Sequence, residues 1–358
     1  MAKPLPMCLK IDTNKNMQAK ELKLLTDVLL SNDSTWLERR EALQQMHHLF
    51  FSLNQFDAYQ STANIEEEWL PNGCAISPRG AAMCLFEIKR TRVFVQGIIN
   101  AIKRLLVEQK KKPIHILDAG CGPYALLSLL AAQYFTANEV QFHLLDIHET
   151  NISASKKLID ALKFTDWFSS FTIEDACTYQ WQQKEQLHLV ITETMLNALR
   201  KEPQVSITLN LSKQLANGGL LIPQKIEVDL IQVNNPLKNK IKQSAIDTAD
   251  YSDPDYTQYE KKVGNIVTLT KETTATEIAA NPIAVIHIPT EHEPDNHSLE
   301  FYTTITVFDD LILHHNDSSL AMPLKFSRPN KNPISAGTAV AFSYNTSTNP
   351  GIEFVIGG

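Results

Sequence analysis

Nowhere among the 358 residues do about eighteen apolar residues run together, the length a membrane-crossing helix needs. The opening MAKPLPMCLKIDTNKN lacks the apolar stretch of a secretory leader. Cysteine is sparse. Cys8, Cys74, Cys84, Cys121 and Cys177 are odd in number, scattered and without CxxC spacing, which argues against a disulfide framework and against a zinc centre. The expectation is a soluble, cytoplasmic protein in a reducing compartment, with no membrane partner and no metal. Positive charge is also short: 33 Lys and Arg against 40 Asp and Glu leave a net charge of −7. A nucleic-acid partner, whose phosphates demand a basic surface, is therefore not expected, whereas a cationic substrate would be attracted. Neither an internal repeat nor a low-complexity tract occurs.

What is present is apolar material, at 43% of residues, enough for a sizeable core in more than one domain. Residues 16–31 and 36–53 carry Leu, Met, Trp and Phe at helical spacing, and the second stretch opens with Thr35 three before Glu38, a capping-box pattern. Next comes EEEWLPNGCAISPRG, rich in Pro, Gly and Ser, which reads as a long ordered loop or lid whose acidic triplet is solvated. IKRTRVFVQGIINAIKRLLVEQ then resumes helical spacing and stops at KKK before Pro113. From Ile114 the pattern turns to short apolar runs between helix-like segments: IHILDAG, VQFHLLD, SFTIED, LHLVITE and GGLLIPQ. That is the signature of a parallel α/β sheet.

After Pro223 the runs KIEVDLIQV, NIVTLTKE, IAVIHI, LEFYTTITVF, TAVAFSYN and IEFVIGG read as antiparallel strands of a barrel or sandwich. A partly helical insertion, Asn234 to Glu260, interrupts them. The fold class expected is α/β: a Rossmann-like domain preceded by helices and followed by an antiparallel β domain. The expected divisions are 1–112 (helices and lid), 113–224 and 225–358.

The sharpest motif is IHILDAGCGPYALLSLL, a strand ending in Asp118, a glycine-rich turn and a leucine-rich helix. Gly120 and Gly122 permit a tight turn and close approach of backbone to a ligand, and the helix start offers unpaired N–H groups. GCGPYA also fits the dinucleotide form GxGxxA, so at this motif alone a nicotinamide enzyme stays open. Asp118, two residues before the first glycine, suits a ligand carrying an ammonium and a sulfonium better than a pyrophosphate. The second run ends in Asp146, 28 residues after Asp118, placed to accept hydrogen bonds from ribose hydroxyls. The third closes on Asp175, where a neighbouring loop meets an adenine amino group. Singly, each acid reads as a solvated turn residue; together and in order they describe a cofactor site.

With these motifs the chain resembles the class I S-adenosylmethionine-dependent methyltransferases, and the resemblance implies S-adenosyl-L-methionine as cofactor. In one departure from the family's DxGxGxG pattern the third glycine is Tyr124, which is expected to narrow the pocket. Further along, ITETMLNALRKEPQ holds Glu193 and Glu202 nine residues apart. This resembles the double-glutamate loop of the protein arginine methyltransferases, and the resemblance implies that both glutamates hold a cationic nitrogen nucleophile. Pro203 fits a first helical residue, so the competing reading of Glu202 is a plain helix-start acid serving the macrodipole. EIKRTRVFVQGI is similar to the family segment whose arginine, here Arg90, binds the cofactor's carboxylate. FDAYQSTANIEEEWL resembles the family's aromatic N-terminal helix at Tyr59.

Other features differ from the family. Its Thr-His-Trp loop is due after SSLAMPLKF, where the chain reads SRPNKNPISAG, and its methionine two residues after the second glutamate is Gln204. His314 and His315 read as surface residues. The expectation is a methyltransferase acting on protein or peptide arginine, with an arm in the insertion allowing a homodimer. A small-molecule N- or O-methyltransferase and a non-catalytic binding protein on the same frame remain the alternatives.

Overall fold

A computed structural model describes residues 15–58, 64–109, 112–248, 256–326 and 334–357. Helices α1 (Lys15–Leu30) and α2 (Trp36–Asn54) pack together, and α2 begins with the capping box foreseen at Thr35 and Glu38. Tyr59 lies outside the described residues. The stretch expected to be a loop is more ordered than its composition suggests: strands β1 (Glu68–Leu70) and β2 (Gly73–Ala75) form a hairpin, and helix α3 (Pro78–Met83) follows, started by Pro at its first turn and by the Ser77 hydroxyl. Helix α4 (Ile88–Glu108) buries its apolar face and leads into the sheet.

Strands β3 (Ile114–Ala119), β4 (Val140–Asp146), β5 (Phe168–Ile173), β6 (Leu187–Thr192) and β7 (Leu215–Ile222) make a parallel sheet in the order β5-β4-β3-β6-β7. β3 and β6 are buried along their whole length, which is why their sequences are unbroken apolar runs rather than alternating ones. The connections carry α5 (Leu126–Ala132), α6 (Glu149–Leu162) and α7 (Gln204–Leu211). Strand order reverses between β3 and β6, and the crevice beyond their carboxyl ends is where such sheets bind ligands.

Past β7 the pairing becomes antiparallel. β8 (Lys225–Asn234), β9 (Glu260–Thr270), β10 (Ala284–His287), β11 (His297–Phe308), β12 (Leu311–Leu313), β13 (Leu324–Lys325), β14 (Ala339–Asn345) and β15 (Gly351–Ile356) divide into sheets ordered β12-β11-β8-β9, with β13 on β11, and β10-β14-β15. Their inner faces, including Val228, Leu269, Ile286, Ile305 and Phe342, share one apolar core with the parallel sheet's helices. Within the insertion, Asn235–Thr248 is helix α8; residues 249–255 lie outside the described ones. His315 is not a surface residue: its ring lies 4.6 Å from that of Tyr302 and its Nε2 is 3.4 Å from Glu260 Oε2. His314 is exposed. Among the described residues no helix is long and apolar enough to cross a membrane, and no cluster of His, Cys, Asp and Glu could hold a metal ion.

Candidate functional site

The turn after β3 sets the floor of the crevice. Gly120, at φ 85°, and Gly122, at φ 67°, adopt the left-handed backbone that disfavours side chains. At Gly120 space forbids one as well, since a Cβ would lie 2.5 Å from Thr194 Cγ2. Tyr124, expected to narrow the pocket, instead turns away: it is buried, packs on Phe50 and Phe56, and its hydroxyl donates to Phe56 O at 3.2 Å. Helix α2 supplies Phe50, a partner no local pattern around Tyr124 could announce.

The acids occupy strand ends or the turns beside them. Asp118 is buried, and burial pushes its carboxyl up to about 7 although the Ser128 hydroxyl donates to it at 2.6 Å; nearby Asp146 adds to the rise. Asp146 is already engaged. Its Oδ2 accepts from Gly122 N at 2.9 Å, and its Oδ1 from His148 N at 2.9 Å and Asn151 Nδ2 at 3.0 Å. Burial nevertheless raises its pKa. Asp175 does not close a strand: β5 ends at Ile173, and the Asp175 carboxylate accepts Cys177 N at 2.8 Å in the following turn.

The segment after β6 carries the glutamates on a strained path. Ala198, Leu199 and Lys201, none of them glycine, have φ values of 58°, 54° and 68°. Contacts from outside the segment hold it there. Thr303 receives the N–H of Ala198 at 2.9 Å, the Tyr344 hydroxyl donates to Leu199 O at 2.5 Å, Lys201 N donates to Pro350 O at 2.8 Å and Asn197 Nδ2 to Met322 O at 2.7 Å. These partners belong to the β region, which thereby acts as the mould for the glutamate loop.

The hairpin presses from the other side. Cys74 N donates to Lys201 O at 2.8 Å, and a Cβ on Gly73 would come within 2.9 Å of Pro203 N. Glu67, from the triplet read as solvated, pairs with Lys201 Nζ at 2.7 Å. At its far end the hairpin meets His148, whose Nε2 is 3.0 Å from Ile76 O. An ordered stretch was legible there, but neither of its anchors had a local signal.

Arg90, in the first turn of α4, forms an ion pair with Glu193, and Glu87 Oε2 lies 4.0 Å away. Its partner is thus the first glutamate of the loop. Glu202 is 8% exposed. Burial lifts it to about 7, against the lowering influence of Arg90 and Lys201. It precedes, rather than forms, the helix cap: Pro203 is the cap residue, α7 starts at Gln204, and no side chain caps it. Glu202 thus stands beside the helix start without capping it. Gln204 is fully buried; its Oε1 accepts Thr194 N at 2.9 Å and its Nε2 donates to Thr208 Oγ1 at 3.3 Å.

One cavity of about 1030 Å³ is lined by all the residues singled out from the sequence: Arg90, Asp118, Gly120, Gly122, Asp146, Asp175, Glu193 and Glu202. Carboxylates predominate among its charged walls, and several are held above their ordinary pKa by burial, so it favours a cationic occupant. Asn151 Oδ1, at the Asp146 end, is a buried acceptor with no hydrogen-bond partner among the described residues, a vacancy that suits a hydroxyl donor.

Comparison with known proteins agrees with this geometry. A methyltransferase domain model matches residues 110–271. In fold the chain is similar to a chain of the heterotetrameric PRMT1 enzyme–prozyme complex of Trypanosoma brucei with AdoHcy: 13% identity, 75% of this chain and 90% of that one, TM-score 0.50. Arabidopsis thaliana protein arginine methyltransferase 10, in an open conformation, gives 13% identity, 74% and 89% coverage and a TM-score of 0.49. No curated protein matches the sequence. The stretch that matches the methyltransferase domain model holds the parallel sheet and runs on into the antiparallel β region.

Proposed function

We propose that this methyltransferase moves the methyl group of S-adenosyl-L-methionine to a nitrogen nucleophile, first of all the guanidinium of a protein or peptide arginine. The observation that carries the reading is the pairing of Glu193 and Glu202 in one buried cavity that also contains the glycine turn, both acting on the same Arg90. When bound, the cofactor supplies an electrophilic methyl on a sulfonium. The residues present fit it. Asp118 suits the ammonium, Asp146 and the open Oδ1 of Asn151 suit ribose hydroxyls, and Asp175 suits the adenine amino group. Arg90, ion-paired to Glu193 and with Glu87 Oε2 4.0 Å away, is the guanidinium of the cavity wall and suits the cofactor's carboxylate.

The chain's own residues then do little covalent work. Glu193 and Glu202 orient the acceptor nitrogen, and alignment of this kind contributes several kcal/mol, up to about 7–11 in ideal cases. As the new N–C bond forms and the C–S bond breaks, the attacked nitrogen must shed a proton. Glu202 Oε is the acceptor with suitable basicity, its pKa near 7 lying closer to neutrality than that of an exposed glutamate. The hairpin, anchored at His148 and Lys201, supplies Leu70, Cys74 and Ala75 as one wall of the cavity. A small-molecule acceptor is the second reading; it is favoured by Gln204, which turns inward where the family carries a methionine and leaves that wall to Pro203 and Ile207.

The proposed divisions stay at 1–112, 113–224 and 225–358, the proposed setting is the cytoplasm, and the proposed assembly is a homodimer through the insertion that contains α8. Incubation with radiolabelled cofactor and host lysate, separated into protein and metabolite fractions, tests the function. Label on protein is expected. Label confined to metabolites selects the small-molecule reading, and label in neither fraction overturns both.

A further inference from the structure

We propose that Gln204 is a positioning residue that fixes the two glutamates relative to each other and to the cofactor turn. The proposal rests on the methyl-transfer reading of the cavity. Gln204 sits two residues after Glu202 in the first turn of α7, yet its amide reaches back to the residue after Glu193. Oε1 accepts both the N–H of Thr194 at 2.9 Å and its hydroxyl at 3.2 Å, and Nε2 is held by the Thr208 hydroxyl at 3.3 Å, one turn along the same helix. The side chain therefore closes the loop that carries both carboxylates with a single amide.

Burial makes this closure matter. Gln204 is 0% exposed and Thr208 1%, so the Gln204 amide itself has no water to fall back on, and it holds the half-buried Thr194 at the cavity wall. Thr194 is also pinned on its other side, with Cγ2 filling the place a Gly120 side chain would take. Fastening Thr194 thus registers Glu193 against the glycine turn as well as against Glu202. A methionine at this position has similar length but offers no acceptor able to hold an amide N–H. Gln204 is not among the lining residues, although its partner Thr194 is, so it acts on the cavity only through that neighbour.

The test uses Gln204→Met, Gln204→Glu and Thr208→Val in the full chain, with amide exchange over 191–197, cofactor affinity by calorimetry, and kcat and KM for the acceptor. Gln204→Met is expected to speed exchange at Thr194 by about tenfold or more and to lower kcat by about ten- to a hundredfold, with KM and cofactor affinity within about twofold. Gln204→Glu, which keeps an acceptor for Thr194 N–H, should restore slow exchange at Thr194, while the charge it buries itself depresses kcat. Thr208→Val, nearly isosteric, frees only the Nε2 end and should give a smaller loss of the same kind; it decides the matter should Gln204→Met not fold. Native exchange and native kcat in Gln204→Met or in Thr208→Val overturn the proposal, as does fast exchange at Thr194 that Gln204→Glu fails to slow. If the wild-type protein transfers no methyl group to any acceptor, it is the methyl-transfer reading that fails, and the exchange rates alone then decide whether Gln204 fastens the loop.

Discussion

Replacing Glu202 by glutamine should make the protein more stable while making it a worse enzyme. In the folded chain burial holds the Glu202 carboxyl at about 7, whereas in an unfolded chain it titrates near its ordinary 4.5. Above pH 7 the native state therefore confines a charge that the unfolded state solvates freely, and the difference corresponds to roughly 3 kcal/mol. The sign is opposite to that of a salt-bridged acid. Here the folded pKa lies above the unfolded one, so stability is full below pH 4.5 and is lost as pH rises through about 7. The substituted glutamine side chain carries no such charge but still buries an amide, which offsets about 1–2 kcal/mol of the gain. The net expectation at pH 8 is a gain of about 1–2 kcal/mol, a few degrees in Tm, turning into a loss of about the same size as pH approaches 4.5. Turnover should fall by about a hundredfold, as for loss of one transition-state electrostatic contact. Thermal unfolding of both proteins at pH 8 and pH 5, with turnover measured at pH 8, checks both arms. Equal or lower stability of Glu202→Gln at pH 8 would refute the buried charge, and undiminished turnover would refute the clamp.

Cofactor affinity should depend on Asp118, whose carboxyl sits at about 7 in the free protein and must ionise to pair with an ammonium. Binding should strengthen about fivefold between pH 6 and pH 7, measured by calorimetry, with Asp118→Asn weak and flat over the range; a flat wild-type profile would contradict the pairing. A second pH effect is remote from the site: His115, His143 and His188 are buried on adjacent strands, with His115 Nδ1 3.0 Å from His143 Nε2 and the Ser170 hydroxyl 2.8 Å from His143 Nδ1. Burial lowers His143 from 6.5 to about 4, so stability should be intact above 6.5 and fall by roughly 3 kcal/mol as pH drops to 4. Denaturant unfolding across that range follows it, and a His143→Phe protein with the same acid slope would exclude the cluster as its source.

The parallel sheet was legible because buried strands must be apolar throughout: IHILDA and LHLVIT leave few other readings, and their ends fixed Asp118 and Glu193 to within a residue. Thr35 and Glu38 were equally plain, since a capping box is complete within four residues. Less legible was whatever depends on a partner far along the chain. The direction of Tyr124 is decided by Phe50 and Phe56, the fate of the acidic triplet by Lys201, and the half-burial of His315 by Tyr302. Glu67 is exposed as composition suggested, and only its pairing with Lys201 had no signal nearby in sequence. Pro203 misled in a subtler way: its fixed φ suits a first helical position and a cap alike, and here it is the cap.

The glutamate loop is gripped largely through peptide groups: Cys74 N on Lys201 O, Lys201 N on Pro350 O, and the bare backbone of Gly73 against Pro203. Main-chain contacts carry no memory of which side chains surround them. Leu70, Ile76 and Ile207, which line the cavity, are therefore free to drift in size and polarity while the carboxylates stay in register. Acceptor preference can change by pocket substitutions without rebuilding the catalytic frame, and directed evolution of new acceptors should find its gains at those positions. The exception is Gly73 itself, where any side chain would push the hairpin off the loop, so selection for new acceptors should leave that position as glycine.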